Sequence, residues 1–446
     1  MGIFDALTAA VAGLQAQSFA LQNISGNIAN SQTVGYKGTD TSFQDLVSQA
    51  APGQQTAGGV FASSVATNTV QGTVQSAAVS TDMAIDGNGW FVVAQPSGTT
   101  GSQSSFSAVN YYTRRGDFQL NQNGYLVNGA GYYLMGVPVN PATGSPQGSA
   151  PQVLQFNNNF LPAQATTQIG YRANLPSAPT SGVLNPTSFT VNPLASGTGT
   201  VVGNDASTFL AQSLDGGSIT ANDAEGNPVN VQFRWAETAS SGGSNTWQLF
   251  YQSNSSATGT QVAWQNTGTS FKFNSSGQLT SPTTPTMTLP SLTVDGDTIG
   301  NVQLNFGTNG LTQFATANGT VQVNGMTQNG FTAGEMQSLS VDTQGQVVGS
   351  FSNGQTIALA NITLATFNGQ NALQPLNGEA YAATPESGAP LYSATGKVVG
   401  SSLESSDVDI ASQFSNLIVA QQAYSANARV MTTANQMIQS LLQVIQ

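Results

Sequence analysis

The side chains that could perform catalysis or hold a metal are few in this sequence. It contains no cysteine and no histidine among its 446 residues. Thiolate and imidazole metal sites are therefore excluded, and so are nucleophilic mechanisms that need a serine–histidine or cysteine–histidine pair. Carboxylate pairs serve glycoside hydrolases, but the 20 acidic residues are scattered along the chain. The sequence therefore predicts no enzyme, no cofactor and no metal site.

Three short motifs invite a functional interpretation. Arg115-Gly116-Asp117 is an integrin-type tripeptide, which leaves a secreted β-rich adhesin open as an alternative function. The stretches 86–89 (Asp-Gly-Asn-Gly) and 295–297 (Asp-Gly-Asp) contain acids next to glycine, as calcium loops do. Neither has the regularly spaced ligands and closing glutamate of such a loop. Turn formation explains both stretches more simply.

The composition narrows the class of partner. Charged residues make up only 6% of the chain, hydrophobic residues 39%, and the net charge is −12 with eight Lys and Arg in total. Enough apolar residues are present to build cores, so the low charge does not indicate disorder. An acidic chain without a basic cluster is a poor partner for nucleic acid or an anionic membrane. The length allows two or three domains.

The elements that organise the chain are its two ends. Residues 410–446 carry apolar side chains at alternating steps of four and three residues, which is the pattern of a coiled-coil helix. Arg429 is the only charged residue there, whereas a helix on a protein surface normally carries charge on its solvent face. We therefore expect other protein to surround this helix. The seam consists of Ile410, Phe414, Leu417, Gln421, Tyr424, Ala428, Met431, Asn435, Ile438, Leu442 and Ile445.

The first 32 residues repeat this pattern, with Asp5 in the first turn, where it suits the helix dipole. We expect the two helices to pair with each other and with copies of the chain. The N-terminus lacks an apolar run long enough to span a membrane, so the sequence predicts no membrane insertion. It also lacks the basic region of a signal peptide. If the protein is secreted, we therefore expect a route without signal cleavage. The N-terminal seam is Phe4, Leu7, Val11, Leu14, Ser18, Leu21, Ser25 and Ile28.

The residues between the helices have the pattern of antiparallel β structure. Short apolar runs alternate with turn signals over 83–139, beginning with a strong hairpin signal around 86–89. Residues 175–330 give many short β segments with glycine-rich turns and no helical period. The cleaner hairpin pattern returns over 337–367. We therefore predict that the second β region is inserted into the first.

Several motifs, in order along the chain, resemble the axial rod and hook proteins of the bacterial flagellum. They are Asn23-Ile-Ser-Gly-Asn-Ile-Ala-Asn30 with Val34-Gly-Tyr-Lys37, Ala84-Ile-Asp-Gly-Asn-Gly-Trp-Phe-Val-Val93, Tyr112-Thr-Arg-Arg-Gly-Asp-Phe118 with Gly124-Tyr-Leu-Val-Asn128, and Val419-Ala-Gln-Gln-Ala-Tyr-Ser-Ala-Asn-Ala-Arg429. The residues that carry the resemblance most directly are Asn23, Asn27, Asn30, Gly35, Asp86, Gly87, Gly89, Arg114, Gly116 and Gly124.

The resemblance implies a structural subunit that assembles itself into a helical tube, the flexible joint between basal-body rod and filament. It also implies contacts with rod, hook-cap and hook–filament junction proteins, and export by the flagellar type III apparatus to the cell exterior. The size and the large insertion resemble the hook members of the family. A distal rod protein, which is shorter and lacks the insertion, remains the alternative within the family.

The predicted fold class is mostly β with α-helical termini, in a nested arrangement. The predicted segments are an N-terminal coiled-coil helix (1–32), an extended connector (33–80), the first part of an inner β domain (81–172), an inserted outer β domain (173–330), the second part of the inner domain (331–392), a connector (393–408) and a C-terminal coiled-coil helix (409–446).

Overall fold

The computed structural model describes residues 3–45, 59–100, 103–141, 143–156, 160–195, 199–241, 244–392 and 396–444. These residues are mostly β, with a long helix near each end, which confirms the predicted fold class. The chain divides into two compact units. The first comprises Met1–Asn159, Gln337–Ser350 and Thr356–Gln446, and the second comprises Phe160–Met336 and Phe351–Gln355.

The terminal helices are α1 (Ile3–Ala29) and α3 (Ile410–Val444), which lie inside the two predicted helical segments. Asp409 begins α3 because its Oδ1 accepts hydrogen bonds from the backbone N–H groups of Ala411 and Ser412, at 2.8 and 3.3 Å. The second unit contains a further short helix, α2 (Ala206–Ala211). The absence of helix predicted for 175–330 is wrong here, because six residues are too few to show a period.

The strands of the first unit come from both sides of the second unit. They are β1 (Thr39–Asp45), β2 (Val60–Ala66), β3 (Val74–Ser76), β4 (Met83–Asp86), β5 (Trp90–Thr100), β6 (Gln103–Thr113), β7 (Phe118–Leu120), β8 (Leu126–Asn128), β9 (Tyr133–Pro138) and β10 (Gln152–Val153), followed after the second unit by β24 (Gln346–Phe351), β25 (Thr356–Ile362), β26 (Leu364–Ala365), β27 (Gln374–Leu376), β28 (Ala380–Ala382), β29 (Lys397–Gly400) and β30 (Ser402–Glu404).

A central sheet joins the two flanks of the first unit. Its strands run in the order β24-β25-β9-β5-β6-β28-β27, with β26 beside β5 and β10 beside β9. Early strands pair with late ones, as Phe91 does with Leu364 and Thr113 with Ala380. Trp90, which is fully buried, packs on Tyr381 with 4.7 Å between ring centroids. The sheet therefore has one core built from residues of both flanks.

Small antiparallel pairs connect this sheet to the terminal helices. Strands β1 and β2 pair from Thr39 with Ala66 to Asp45 with Val60, so the predicted extended connector contains a hairpin. Strands β29 and β30, in the connector before α3, pair with the earlier strands β4 and β3, respectively. Residues that follow α1 and residues that precede α3 thereby meet close to the same strands.

The second unit contains two sheets, and its strands β11 and β23 pair with each other outside them. Its strands are β11 (Phe160–Leu161), β12 (Gln168–Pro176), β13 (Thr200–Val202), β14 (Leu214–Asn222), β15 (Pro228–Ser241), β16 (Ser244–Gln252), β17 (Val262–Phe273), β18 (Leu279–Ser281), β19 (Thr286–Val294), β20 (Asp297–Asn305), β21 (Leu311–Phe314), β22 (Gln322–Gln328) and β23 (Gly334–Val341), whose last residues belong to the first unit. One sheet has the order β19-β20-β12-β21 with β22 beside β12, and the other β13-β17-β16-β15-β14 with β18 beside β17.

The two sheets enclose an aromatic core. Tyr171 and Trp235 are fully buried, and Trp235 Nε1 donates to Tyr171 Oη at 2.9 Å. Tyr171 in turn donates to the backbone oxygen of Gly216 at 2.7 Å, which satisfies both buried polar groups. Because Ile169 and Tyr171 alternate into this core, β12 lies in the second unit, although its first residues were assigned to the inner domain from sequence.

Candidate assembly site

The helices α1 and α3 approach each other closely at a glycine. A Cβ placed on Gly13 would lie 2.7 Å from Nδ2 of Asn427, so the two helices approach closely at this point. The residues that the helices bury are Ala10, Gly13, Ala16, Ala20, Ile24 and Asn27 of α1 and Ala420 and Ala434 of α3. This small-residue stripe was not predicted from the sequence. Its signal is the spacing of alanine and glycine at 10, 13, 16 and 20.

The predicted seam residues lie beside this stripe or point away from it. Among those assigned to assembly, Leu7, Leu14, Leu21, Ile28, Leu417 and Ile438 are half-buried, and Phe4, Val11, Phe414, Tyr424, Met431 and Leu442 are exposed. Ile445 lies outside the described residues. Six of these seam residues are therefore partly covered within the chain, and the other six are left exposed.

Large apolar side chains are exposed on several sides of α3. Ile418 is 54% exposed, Val419 65% and Leu442 60%. Phe414 is half exposed, and it lies five residues before Val419, which places the two about 140° apart around the helix. Exposed apolar surface on this scale marks sites of contact with other protein. We call Phe414, Ile418, Val419, Met437 and Leu442 the exposed apolar residues of α3.

Asparagines of the first motif attach α1 to the β1–β2 hairpin. Asn27 is buried, and its Oδ1 accepts from the Thr39 backbone N–H at 3.0 Å and from Tyr36 Oη at 3.3 Å. Its Nδ2 donates to the Thr39 backbone oxygen at 3.0 Å. Asn23 donates to Thr41 Oγ1 at 2.9 Å. Asn30 Nδ2 donates to the backbone oxygen of residue 26 at 3.0 Å, in the last turn of α1.

A buried ion cluster lies where the connectors of both helices meet the β strands. Glu404 is fully buried, and its Oε1 accepts from Lys37 Nζ at 2.6 Å and from the Gly72 N–H at 3.0 Å. Its Oε2 accepts from Arg114 Nη1 at 3.1 Å. The side chains of Lys37 and Arg114 are also buried. We call these three side chains the Glu404 cluster, and sequence analysis did not identify Glu404 as part of any site.

Further hydrogen bonds draw the β4–β5 turn into the cluster. Arg114 Nη2 donates to the Gly87 backbone oxygen at 2.8 Å, and its guanidinium carbon lies 5.5 Å from the Trp90 ring centroid. Gly87 and Gly89 have φ of 93° and 143°, which favours glycine in this turn. Asp86 is exposed and pairs in register with Lys397. This motif therefore positions Arg114 through its backbone.

Two motif glycines permit backbone contacts that a side chain would block. Gly35 has φ of 69° and donates to the Glu404 backbone oxygen at 2.8 Å, and a Cβ there would lie 2.6 Å from the Arg115 nitrogen. A Cβ on Gly116 would lie 1.6 Å from the Met83 backbone oxygen. Gly124, with φ of 79°, closes the turn between β7 and β8.

The electrostatics of the cluster show the cost of burying charge. Desolvation lowers the pKa of Lys37, and the attraction of Glu404 opposes that effect. Burial also raises the pKa of the neighbouring Asp407, although its Oδ1 accepts from the Gly38 N–H at 2.7 Å and its Oδ2 from Thr67 Oγ1 at 3.2 Å. The remaining polar partners are backbone groups, so the cluster fixes the geometry of the connectors.

The integrin-type tripeptide is engaged internally. Arg115 Nε and Nη2 bind Asp117 Oδ1 and Oδ2 at 2.8 and 2.9 Å, a bidentate ion pair. The hydrogen bond to Asp117 raises the pKa of Arg115. Gly116 between them is pressed against the backbone of Met83. The two charged side chains neutralise each other, so nothing in this geometry favours the adhesin alternative.

Other kinds of site receive no support from the described part of the chain. Among those residues, no three Asp or Glu side chains come together as metal ligands. None of the helices described is both long and apolar enough to cross a membrane. The arrangement of exposed apolar helix and buried structural charges is that of a subunit built for association with further protein.

Family models place the chain in a class of flagellar axial proteins. Residues 84–181 match the model described as "Flagellar hook protein FlgE/F/G D1 domain". Residues 211–331 match "Flagellar basal body protein FlaE D2 domain", and residues 399–444 match "Flagellar basal body rod FlgEFG protein C-terminal". These matches cover both flanks of the chain and its middle.

Individual relatives identify the family. The chain is 31% identical over 442 residues to the flagellar hook protein FlgE of Salmonella typhimurium, covering 97% of this chain and 98% of the relative. It is 29% identical to the flagellar hook protein FlgE of Escherichia coli, with 98% and 99% covered. The chain belongs to the flagellar hook protein family and is a structural subunit of the flagellar hook.

A solved structure agrees in fold. The crystal structure of Helicobacter pylori flagellar hook protein FlgE2 matches with a TM-score of 0.50 at 16% sequence identity, covering 74% of this chain and all of that one. The distal rod alternative is not favoured, because hook proteins match over nearly the full length, including the inserted region.

Proposed function

We propose that the subunit polymerises through the apolar side chains that α1 and α3 leave exposed, and that the Glu404 cluster fixes the direction in which the two helices leave the β strands. The observation that carries the proposal is the exposure of large apolar residues on several sides of α3, with Val419 at 65%. One neighbouring helix covers one side only, so burial of all of them requires several further helices. Copies of the same chain supply such helices in a helical tube.

The two polar seam positions set the register of assembly in this proposal. Gln421 and Asn435 are exposed within a seam that is otherwise apolar. Polar residues at such positions fix the register and number of partner helices in coiled coils. Replacing both with leucine would therefore change the form of the polymer and leave the β strands untouched.

The domain scheme and the wider partners belong to the same proposal. The first unit corresponds to the inner β domain with the terminal helices, and the second unit to the inserted outer domain. The sharing of one sheet by early and late strands supports this assignment. In the flagellum the polymer meets rod, hook-cap and hook–filament junction proteins, and the flagellar type III apparatus exports the subunit. The resemblance of the terminal motifs to the axial family supports these partners.

The proposal is tested by replacing Phe414 and Val419 with serine together. Polymers of the purified chain are followed by sedimentation and electron microscopy. We expect the double variant to stay monomeric at concentrations where the unmodified chain forms tubes. Phe314→Ser is the matched control, because Phe314 is a 52% exposed phenylalanine that belongs to the second unit. Tubes of normal yield from the double variant would overturn the proposal.

A further inference from the structure

A polar cavity on the second unit has the features of a ligand site unrelated to assembly. It lies on the outer face of the five-stranded sheet that contains β12 and has a volume of about 500 Å³. Gln168, Gly170 and Arg172 of β12 line it, alternating with Ile169 and Tyr171, which point into the core. Residues of β20 and β22 and of the turns after them complete the wall.

The cation that lines this cavity has no side-chain partner among the described residues. Arg172 is exposed, and its guanidinium makes no hydrogen bond or ion pair with any residue that the structure describes. Its Nη2 reaches across the sheet to lie 3.9 Å from the position of a Cβ on Gly307. None of the described lining residues is acidic, in a protein whose net charge is −12. An unpaired arginine in such a setting is a binding group for a carboxylate.

The amides around Arg172 are oriented as hydrogen-bond donors. Asn305 Oδ1 accepts from the Gly307 N–H at 2.9 Å, and Gln328 Oε1 accepts from Thr166 Oγ1 at 2.9 Å. Because both side-chain carbonyls are occupied, their NH₂ groups are left to donate. Neither NH₂ group bonds another described residue. Gln168 and Asn324 add amides that also make no side-chain hydrogen bond to the described residues.

The size and polarity of the cavity indicate the class of ligand. A volume of about 500 Å³ is larger than a simple carboxylate needs and falls in the usual range for small-molecule sites. Such sites are mostly apolar, whereas amide groups and an arginine line this one, which fits a ligand covered with hydroxyl groups. We propose that the cavity binds a carboxylate-bearing saccharide, a uronic acid, with the carboxylate on Arg172 and the hydroxyls on the surrounding amides.

The test is calorimetric titration of the full-length chain with digalacturonate, with galactose and acetate as comparison probes. We expect saturable binding of digalacturonate, with each comparison probe binding at least tenfold more weakly. Arg172→Gln removes the cation from an exposed position and should weaken digalacturonate binding at least tenfold. Circular dichroism checks that this variant is folded.

Lys272→Gln is the matched control, since Lys272 is an exposed cation of the same unit that does not line the cavity. We expect it to change the affinity less than twofold. Equal losses in the two variants would show attraction to charge alone and overturn the proposal. So would galactose or acetate binding as tightly as digalacturonate, or the absence of saturable digalacturonate binding.

Discussion

Large apolar side chains are buried in the cores of the two units but exposed on the terminal helix α3. In the β units, Trp90, Trp235 and Trp247 are fully buried within the chain that carries them. In α3, Phe414 and Val419 are half to two-thirds exposed. The β units therefore complete their cores alone, whereas the helix leaves apolar surface exposed, which in our proposal other copies of the chain cover. The same sequence thus contains two units whose cores are complete within one chain and a helix whose apolar surface is not.

The strongest test of this contrast is removal of residues 410–446. We expect complete loss of polymer, because the exposed apolar residues of α3 are all removed. The second unit should remain folded, since its core contains none of these residues. Sedimentation measures the first outcome and calorimetry the second. Loss of the unfolding transition of the second unit would contradict the division of roles.

A pair of substitutions compares the two regions directly. Trp235→Ala should destabilise the second unit by about 3–5 kcal/mol, because it leaves a cavity in a closed core. Val419→Ala should change the stability of the monomer by no more than about 0.5 kcal/mol, because the side chain is mostly exposed. Denaturant unfolding of the monomers measures both. Similar losses in the two variants would remove the distinction.

The Glu404 cluster should be costly to break although it lies outside the apolar cores. Glu404→Gln leaves Lys37 and Arg114 buried without a counter-charge, which costs about 3–5 kcal/mol in comparable buried pairs. Hydrogen exchange in peptides covering 83–93 should accelerate, while peptides covering 228–241 of the second unit should not change. Glu225→Gln, at an exposed position, is the control. Unchanged exchange at 83–93 would show that the cluster does not hold the β4–β5 turn.

A smaller, pH-dependent effect is expected at Glu237 in the second unit. Burial raises the pKa of this carboxyl above its ordinary value of 4.5, and it makes no salt bridge with a described residue. The ionised group therefore lowers the stability of the folded state above the raised pKa, and the penalty disappears as the pH falls through that pKa to the ordinary value. Glu237→Gln should raise the melting temperature at pH 7 and leave it nearly unchanged at pH 4. An equal shift at both values would rule out ionisation as the cause.

The sequence predicted the fold well where an apolar repeat extends over many residues. The four–three spacing located α1 and α3 because their apolar repeats persist over many turns. The turn signals located the turn at 86–89, but the hairpin predicted there is wrong, because β4 pairs with β29 whereas β5 lies in the central sheet. The small residues buried along α1 were not predicted, because alanine and glycine contribute little to a hydropathy pattern, although Gly13 allows a close approach to Asn427. The motif residues Asn27 and Arg114 were found through the resemblance, without a physical role.

The Glu404 cluster could not be predicted for a different reason. Lys37 and Glu404 are 367 positions apart in the chain, and no local pattern links a lone lysine to one glutamate among 20 acidic residues. The tertiary fold brings the two segments together, with the Gly35 N–H donating to the Glu404 backbone oxygen at 2.8 Å. A buried ion cluster of this kind can be assigned from the known topology but not from the sequence.

That separation in sequence also sets an order of events in folding. Contacts between distant residues form slowly, because the chain must first close a long loop. A hairpin such as β5–β6 has both of its strands early, but the carboxylate that neutralises Lys37 belongs to residue 404. We therefore expect the junction of the two terminal connectors to form last. The packing of α1 would then be completed late in folding, after the hairpins of the β strands have formed.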